Sequence, residues 1–267
     1  MANKGYDVWL GNSRGSKYSR EHRFLDPDGD DDYTTFFGYS FEDSAYHDSN
    51  STVSYILKET GKKNIGVMGH SLGATQFMLS PQSGISVLVS LGALSNLNHT
   101  QDQLMLQLKN SDTIINLLND YKIEEVFPSN YLIEGIFSTL CQAVPNICDI
   151  LVDDVMEMET DYINNDRLDE LFGHFPAGTS KKTLVHLTQI LRSSRFQKFD
   201  YGLELNRKIY NMDAPPLFDF SKTSNMKIIM IVGEEDVLAT PADSHWLRKQ
   251  LGTRVIYYGK YHQPILL

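Results

Sequence analysis

The chain has 267 residues, of which 41% are hydrophobic and 22% charged, and its formal net charge is -10. This length and apolar content support a full hydrophobic core and exclude a disordered tail. The acidic balance argues against nucleic acid as a partner, because phosphate binding needs a positive surface. The sequence has no run of about 20 apolar residues, so we expect no transmembrane segment.

The first expected element is a strand over residues 5–10, which is apolar and aromatic. The chain enters this strand almost at once, so the sequence shows no apolar signal segment. The acidic stretch 21–32 does not fit a calcium-binding loop. Asp31 stands where such a loop needs glycine, and Phe37 stands where it needs glutamate. We interpret 21–32 as a solvated loop.

A helix is expected over residues 41–60. Ser40 is a suitable N-cap, and Gly61 lies where glycine commonly ends a helix. Apolar strands are expected at 65–68 and 85–91, with a helix of about two turns between them. This alternation is typical of a mostly parallel sheet with helices on its faces.

The strongest motif lies between those two strands. Gly69-His70-Ser71-Leu72-Gly73 follows an apolar strand and opens a helix. A G-x-S-x-G sequence in that context is typical of a nucleophile elbow, in which a sharp turn holds the serine at the top of a sheet. The two glycines remove side chains that would collide in so tight a bend. The motif therefore predicts Ser71 as a nucleophile.

The next sheet strand is expected at 227–232, which leaves a segment at 95–225 that is far too long for an ordinary crossover. Clusters of leucine and isoleucine with helical spacing lie at 104–118, 131–140, 147–156 and 184–191. These clusters indicate a helical insertion. We expect it to cap the active site, and the alternative is a packed helical subdomain without a gating role.

The end of the chain completes the sheet. The strand 227–232 leads to an acidic turn, a helix over 241–251 and a strand over 254–258, followed by a loop that carries His262. The predicted organisation is a first core part of residues 1–94, the helical cap insertion of residues 95–225 and a second core part of residues 226–267.

Three residues fit a catalytic triad. A serine hydroxyl needs an adjacent base, which in turn needs an orienting acid. Ser71, Asp236 and His262 each follow a different predicted strand, in the chain order serine, acid, histidine. Glu234 and Glu235 compete with Asp236 for the role of acid, and loop position separates them only weakly.

The other histidines that we weighed fit the role of base less well. His70 lies inside the elbow, His245 falls within a predicted helix, and His174 and His186 belong to the insertion. His262, unlike these four, lies on a loop after a strand, so we assign it the role of base. No pair or triple of His, Cys or Asp residues has convincing metal spacing, so we expect no metal site.

Several stretches together resemble a known family, the acid lipases of the gastric and lysosomal type within the α/β-hydrolase superfamily. They cover nearly the whole chain: residues 5–15, 18–20, 41–73, 174–180, 196–202 and the loops of Asp236 and His262. The resemblance implies an α/β fold of the α/β-hydrolase type, with a mostly parallel sheet and a helical cap insertion.

The resemblance also implies a function. It implies a carboxylic ester hydrolase of lipid catabolism that acts on triglycerides or sterol esters without a cofactor and makes transient contact with a lipid interface. It places the triad on Ser71, Asp236 and His262, and one oxyanion donor on the Leu72 N–H. Cys141 and Cys148 fall near the family's disulfide, and a secreted or lysosomal location is implied.

The sequence departs from this family in three features. No His-Gly loop precedes Ser71 to supply the second oxyanion donor, and the family's N-terminal strands and its last helix after His262 have no counterpart. Two alternatives therefore stay open. One is a truncated or degenerate copy that binds lipid with weak or no catalysis, and the other is an esterase or thioesterase of the same fold.

Overall fold

The computed structural model describes residues 1–81, 83–128, 174, 176–222 and 226–262. The helices predicted at 131–140 and 147–156, together with Cys141 and Cys148, lie outside the described residues.

A parallel sheet forms the centre of the fold. The strands are β1 (Ile65–His70), β2 (Ile85–Leu91), β3 (Glu125–Val126), β4 (Thr179–Ser180), β5 (Lys227–Gly233) and β6 (Val255–Tyr261). Strands β1, β2, β5 and β6 pair in parallel in the order β1-β2-β5-β6, whereas β3 and β4 pair antiparallel. The expected parallel sheet is confirmed. All its carboxyl ends meet at one edge, which we call the carboxyl edge.

The described helices lie mostly where the sequence predicts them. They are α1 (Tyr33–Phe36), α2 (Phe41–Asp43), α3 (Ser49–Thr60), α4 (Ser71–Leu79), α5 (Gln103–Asn110), α6 (Thr113–Asp120), α7 (Lys181–Ser193), α8 (Leu203–Tyr210) and α9 (Pro241–Leu251). The helix predicted at 41–60 is present, with a π-helical turn at Ser44–Asp48 between α2 and α3.

The predicted caps of two helices are confirmed. The Ser40 hydroxyl accepts a hydrogen bond from the Glu42 amide, and Asp43 accepts one from the Ser40 amide. Gly61 ends α3 with a left-handed φ of 65°. At α9, the Thr240 side chain accepts from the Asp243 amide.

The strand predicted at residues 5–10 is wrong. A short 3₁₀ helix at Ala2–Lys4 is followed by an exposed segment without ladder pairing in the described residues. The Trp9 ring packs on Tyr55 of α3, with ring centroids 5.9 Å apart. A strand needs a neighbouring strand to satisfy its backbone groups, and this segment contacts a helix instead.

The two faces of the sheet differ in burial. Leu88 and Ile228 lie beside each other in the register and are fully buried. On the opposite face, Met68 of β1 is 50% exposed and Tyr257 of β6 is 49% exposed. Successive side chains of a strand point to opposite faces, so the core lies on one side of the sheet. Helices were expected on both faces, and the described helices cover one.

Within the segment predicted as an insertion, helices α5 and α7 pack into the same hydrophobic core as the sheet. The Arg192 guanidinium of α7 donates to the Leu108 carbonyl of α5, at 2.7 Å. Leu108, Ile190 and Leu191 are fully buried in the shared core. None of the helices in the described part of the chain has the length and apolar character that crossing a bilayer requires. The role of the insertion as a cap remains a prediction.

Helix α8 was not expected from the sequence. Its buried residue is the polar Asn206, which donates to Asp200, whereas Leu203 and Ile209 are 52% and 53% exposed. Helix α8 has only eight residues, and hydrophobic periodicity indicates a helix reliably only over a window of about 11–18 residues.

Candidate active site

The elbow at the end of β1 has the geometry that the motif predicts. Ser71 is half-buried, begins α4 and has a φ of 50°, in the left-handed region that a non-glycine residue rarely adopts. Such strain costs on the order of 1 kcal/mol and persists where the surrounding structure imposes it. The turn from β1 into α4 imposes it on Ser71.

The two glycines of the motif have different roles. A Cβ on Gly69 would lie 2.7 Å from Cα of Ala74 and 2.8 Å from its nitrogen, so strand and helix approach too closely for any side chain. A Cβ on Gly73 would meet no atom within 4 Å. The prediction that a side chain would collide in the bend is therefore correct for Gly69 and wrong for Gly73.

The proposed oxyanion donor lies in the first turn of α4. The first amides of a helix have no partner within the helix, and the helix dipole makes that end favourable for negative charge. The Leu72 amide is one of these groups, while the Leu72 side chain packs against the core. The assignment of its N–H to an oxyanion remains a prediction.

Asp236 follows β5 and is buried, with 3% of its surface exposed. One oxygen, Oδ1, accepts hydrogen bonds from the Leu238 amide at 3.0 Å and the Ala239 amide at 2.7 Å. Desolvation raises the pKa of Asp236, and these two bonds together with the charge of His70 offset part of that rise. The carboxyl group is thus held rigidly at the carboxyl edge.

His262 follows β6 directly, but its ring does not contact Asp236 in this conformation. The side chain is 87% exposed, with Nδ1 3.5 Å from Oε2 of Glu234 and 3.9 Å from Oε1 of Glu235. These are the two carboxylates that sequence reasoning left as competitors of Asp236.

The fold brings the three candidates to the same edge of the sheet. Ser71, Asp236 and His262 each lie just beyond the carboxyl end of a parallel strand. The Glu234 amide donates to the Tyr261 carbonyl at 2.7 Å, which joins the Asp236 loop to the strand that carries His262. The triad itself remains a prediction.

The other histidines fall into distinct settings. His245 is exposed on α9, and Nδ1 of His174 lies 2.6 Å from the Tyr18 hydroxyl. His186 is fully buried in the core. His70, inside the elbow, lies near enough to Asp236 for its charge to lower the pKa of that carboxyl group.

Sequence reasoning missed a fourth residue at this edge, His99. It lies on the loop after β2, and its Nδ1 is 2.7 Å from Oδ1 of Asp243 in the first turn of α9. The rule that selected His262, a histidine on a loop after a strand, would also have selected His99. Its carboxylate partner lies 144 residues further along the chain, so no local spacing reveals the pair.

Comparison with known protein families bears on the fold class. The sequence model of the α/β-hydrolase fold family matches residues 1–118, which include the elbow. With the parallel sheet and the strand–serine–helix turn, this match shows that the chain has the α/β-hydrolase fold. The predicted fold class is confirmed.

The curated relatives to which the chain is similar include acid lipases. The chain is 29% identical to the gastric triacylglycerol lipase of Bos taurus over 274 residues, which cover 99% of this chain and 66% of that protein. It is 28% identical to the lysosomal acid lipase/cholesteryl ester hydrolase of Rattus norvegicus, with the same coverage of 99% and 66%. The resemblance to the acid lipase family is confirmed.

The chain spans about two thirds of the length of these relatives, since 66% of each is covered. Among solved structures, it is similar to an alpha/beta fold family hydrolase from Bacillus anthracis, with a TM-score of 0.38 and 13% identity. That similarity covers 90% of this chain and 70% of the other.

Proposed function

We propose that this chain is a serine carboxylic ester hydrolase that acts on lipid esters, namely triglycerides or sterol esters. The observation that carries the proposal is the φ of 50° at Ser71, a strained serine held at a strand-to-helix turn where Gly69 admits no side chain. A nucleophile elbow presents its serine in this way. The acid lipase relatives support lipid esters as the substrate class.

The proposed reaction is acyl transfer through a Ser71–His262–Asp236 triad. His262 takes the hydroxyl proton while Oγ of Ser71 bonds to the ester carbonyl carbon, and the alcohol leaves with that proton. Water then attacks the acyl-enzyme with the same proton path, releasing the fatty acid and restoring Ser71. The Leu72 N–H stabilises the oxyanion, a contribution on the order of 3 kcal/mol for one donor.

Asp236 is the proposed orienting acid because its surroundings fix it in place. The Leu238 and Ala239 amides occupy Oδ1, which leaves Oδ2 for the histidine. The His262 ring must turn from Glu234 toward Asp236 to take part. The pair that it would break is solvent-exposed, and such pairs contribute about 0–1 kcal/mol.

One observation favours a second function, lipid binding without catalysis. The His262 ring is 87% exposed and lies beside Glu234, so the base stands apart from the buried acid. A chain that keeps this arrangement binds lipid esters and hydrolyses none. Both functions place the chain at a lipid interface, and we propose a secreted or lysosomal location from its relatives.

The direct test is hydrolysis of p-nitrophenyl butyrate by the wild-type chain and by Ser71→Ala. Hydrolysis is expected in the wild type and a loss of at least about a thousandfold in Ser71→Ala. Ser54→Ala, an exposed serine on α3, is the matched control and should retain full activity. Equal rates for wild type and Ser71→Ala would contradict the assignment.

The substrate class is tested with the same proteins on emulsified tributyrin and on a soluble thioester. A lipase is expected to favour the emulsified ester over soluble substrates. Preference for the soluble ester or the thioester would instead identify a small-molecule esterase or a thioesterase.

A further inference from the structure

His99 and Asp243 form a pair outside the proposed triad. The carboxylate of Asp243 is buried, and the ring of His99 is 60% exposed. Two bonds join the residues: Nδ1 of His99 lies 2.7 Å from Oδ1, and the His99 amide donates to Oδ2 at 3.0 Å. Asp243 also accepts from the Thr240 hydroxyl at 3.2 Å. A buried carboxylate needs such partners, because an unpaired one is costly.

Further hydrogen bonds join the same two segments. The Gln101 amide donates to the Val237 carbonyl at 2.7 Å, and the Thr100 hydroxyl donates to the same oxygen at 3.1 Å. The Ser95 hydroxyl donates to the Asp243 carbonyl at 3.3 Å. We call this set of bonds, with those of His99, the loop clasp. It ties the loop after β2 to the turn and helix that follow β5.

The loop clasp reaches the proposed acid through the backbone. Val237 follows Asp236 directly, and its carbonyl is held by the clasp. The next two amides, of Leu238 and Ala239, donate to Oδ1 of Asp236. The Val237 carbonyl and the Leu238 N–H belong to one peptide unit, so the clasp fixes one of the two donors that orient the Asp236 carboxyl group.

We propose that His99 is a positioning residue for Asp236, acting through Asp243 and the loop clasp. Its catalytic consequence rests on the proposed hydrolase function. The loop before His99 also begins the predicted cap insertion. Hence His99 links the start of the insertion to the acid loop without touching the reacting atoms.

The first test compares His99→Ala with His99→Asn. The side-chain nitrogen of asparagine occupies nearly the place of Nδ1, so His99→Asn keeps the bond to Asp243 whereas His99→Ala loses it. For p-nitrophenyl butyrate, kcat is expected to fall about ten- to hundredfold in His99→Ala, with KM changed less than about threefold. Near wild-type kcat is expected in His99→Asn. His245→Ala, an exposed histidine of α9, is the control.

A second measurement does not depend on activity. Amide hydrogen exchange over residues 236–239 is expected to accelerate about ten- to hundredfold in His99→Ala and to stay at the wild-type rate in His99→Asn and His245→Ala. Uniform acceleration throughout His99→Ala would indicate general destabilisation and overturn the proposal. Unchanged exchange at 236–239 would overturn it as well.

The two measurements separate two kinds of failure. If the wild type hydrolyses no ester but 236–239 responds as expected, the proposed function fails and the positioning of the Asp236 loop by His99 stands. If the wild type is active and His99→Ala keeps both full kcat and slow exchange, the positioning role fails and the proposed function stands.

Discussion

At the residue scale, the two candidate partners of His262, Asp236 and Glu234, have different surroundings. Asp236 is buried and accepts two backbone hydrogen bonds, whereas the Glu234 side chain is 47% exposed. A solvated ion pair orients a ring weakly because water competes with it. A buried carboxylate fixed by amides can hold one ring position, so we propose Asp236 as the acid.

This assignment predicts different effects of two isosteric changes. Asp236→Asn is expected to lower kcat by about 10⁴, because an amide cannot stabilise the imidazolium in the same way. Glu234→Gln is expected to change kcat less than about threefold. Steady-state hydrolysis of p-nitrophenyl butyrate measures both. A large loss in Glu234→Gln with normal Asp236→Asn would make Glu234 the acid.

His186 sets an acid limit on stability. It is fully buried against Phe41, its Nε2–H donates to the Gln197 carbonyl at 2.9 Å, and Nδ1 has no hydrogen-bond partner among the described residues. Burial lowers the pKa of His186 to about 4 from the ordinary 6.5. The unfolded chain therefore binds this proton more tightly than the folded chain does.

The resulting prediction concerns pH. The stability that comes with neutral, buried His186 is complete above pH 6.5, where folding costs this residue no proton. About 3 kcal/mol of unfolding free energy is expected to be lost as the pH falls from 6.5 to 4. Denaturant unfolding at several pH values measures it. In His186→Phe the loss over this range should shrink, whereas His245→Ala should behave as wild type. An unchanged pH dependence in His186→Phe would refute this account.

At the scale of elements, the elbow depends on one glycine rather than two. Gly69→Ala is expected to destabilise the fold by about 1–3 kcal/mol and to reduce hydrolysis on the order of a hundredfold, because β1 and α4 must move apart. Gly73→Ala meets open space and should be neutral or stabilising by up to about 1 kcal/mol.

Denaturant unfolding and ester hydrolysis of the two alanine variants check this prediction side by side. Equal behaviour of Gly69→Ala and Gly73→Ala would show that close approach at Gly69 does not shape the elbow.

Elements with local signals were predictable from the sequence, and those that depend on distant partners were not. Helix α9 begins and ends where Thr240 and Gly252 indicate, because caps act within one turn. The strand predicted at 5–10 failed because pairing decides a strand. Strand β6 continues to Tyr261, beyond the predicted end at 258, because its ladder with β5 reaches Gly233.

The candidate site shows the same division. The placement of Ser71, Asp236 and His262 at the carboxyl edge was predictable because each follows a strand of the parallel sheet. Their roles in a triad remain a prediction. The orientation of the His262 ring and the His99–Asp243 pair depend on contacts between distant segments, which no local pattern encodes.

At the scale of the whole molecule, the sheet has an apolar face that the described helices leave partly open. Met68, Val89, Ile229 and Tyr257 form one row across β1, β2, β5 and β6. Met68 is 50% exposed and Tyr257 49% exposed, and the two residues between them are half-buried. Apolar patches of this kind promote association between molecules.

We therefore expect the apparent mass of the chain to rise with concentration in sedimentation velocity experiments. Met68→Lys should weaken this association, because it places a charge in the apolar row. Tyr121→Lys, which adds the same charge at an exposed site after α6, is the control and should associate as the wild type does. A wild-type chain that stays monomeric at all concentrations would contradict the prediction.

Covalent labelling tests directly whether Ser71 is an activated nucleophile. The folded chain is treated with a fluorophosphonate, and the modified peptide is located by mass spectrometry. We expect one adduct, on Ser71, which disappears in Ser71→Ala and persists in Ser54→Ala. No adduct, or an adduct on another serine, would contradict it.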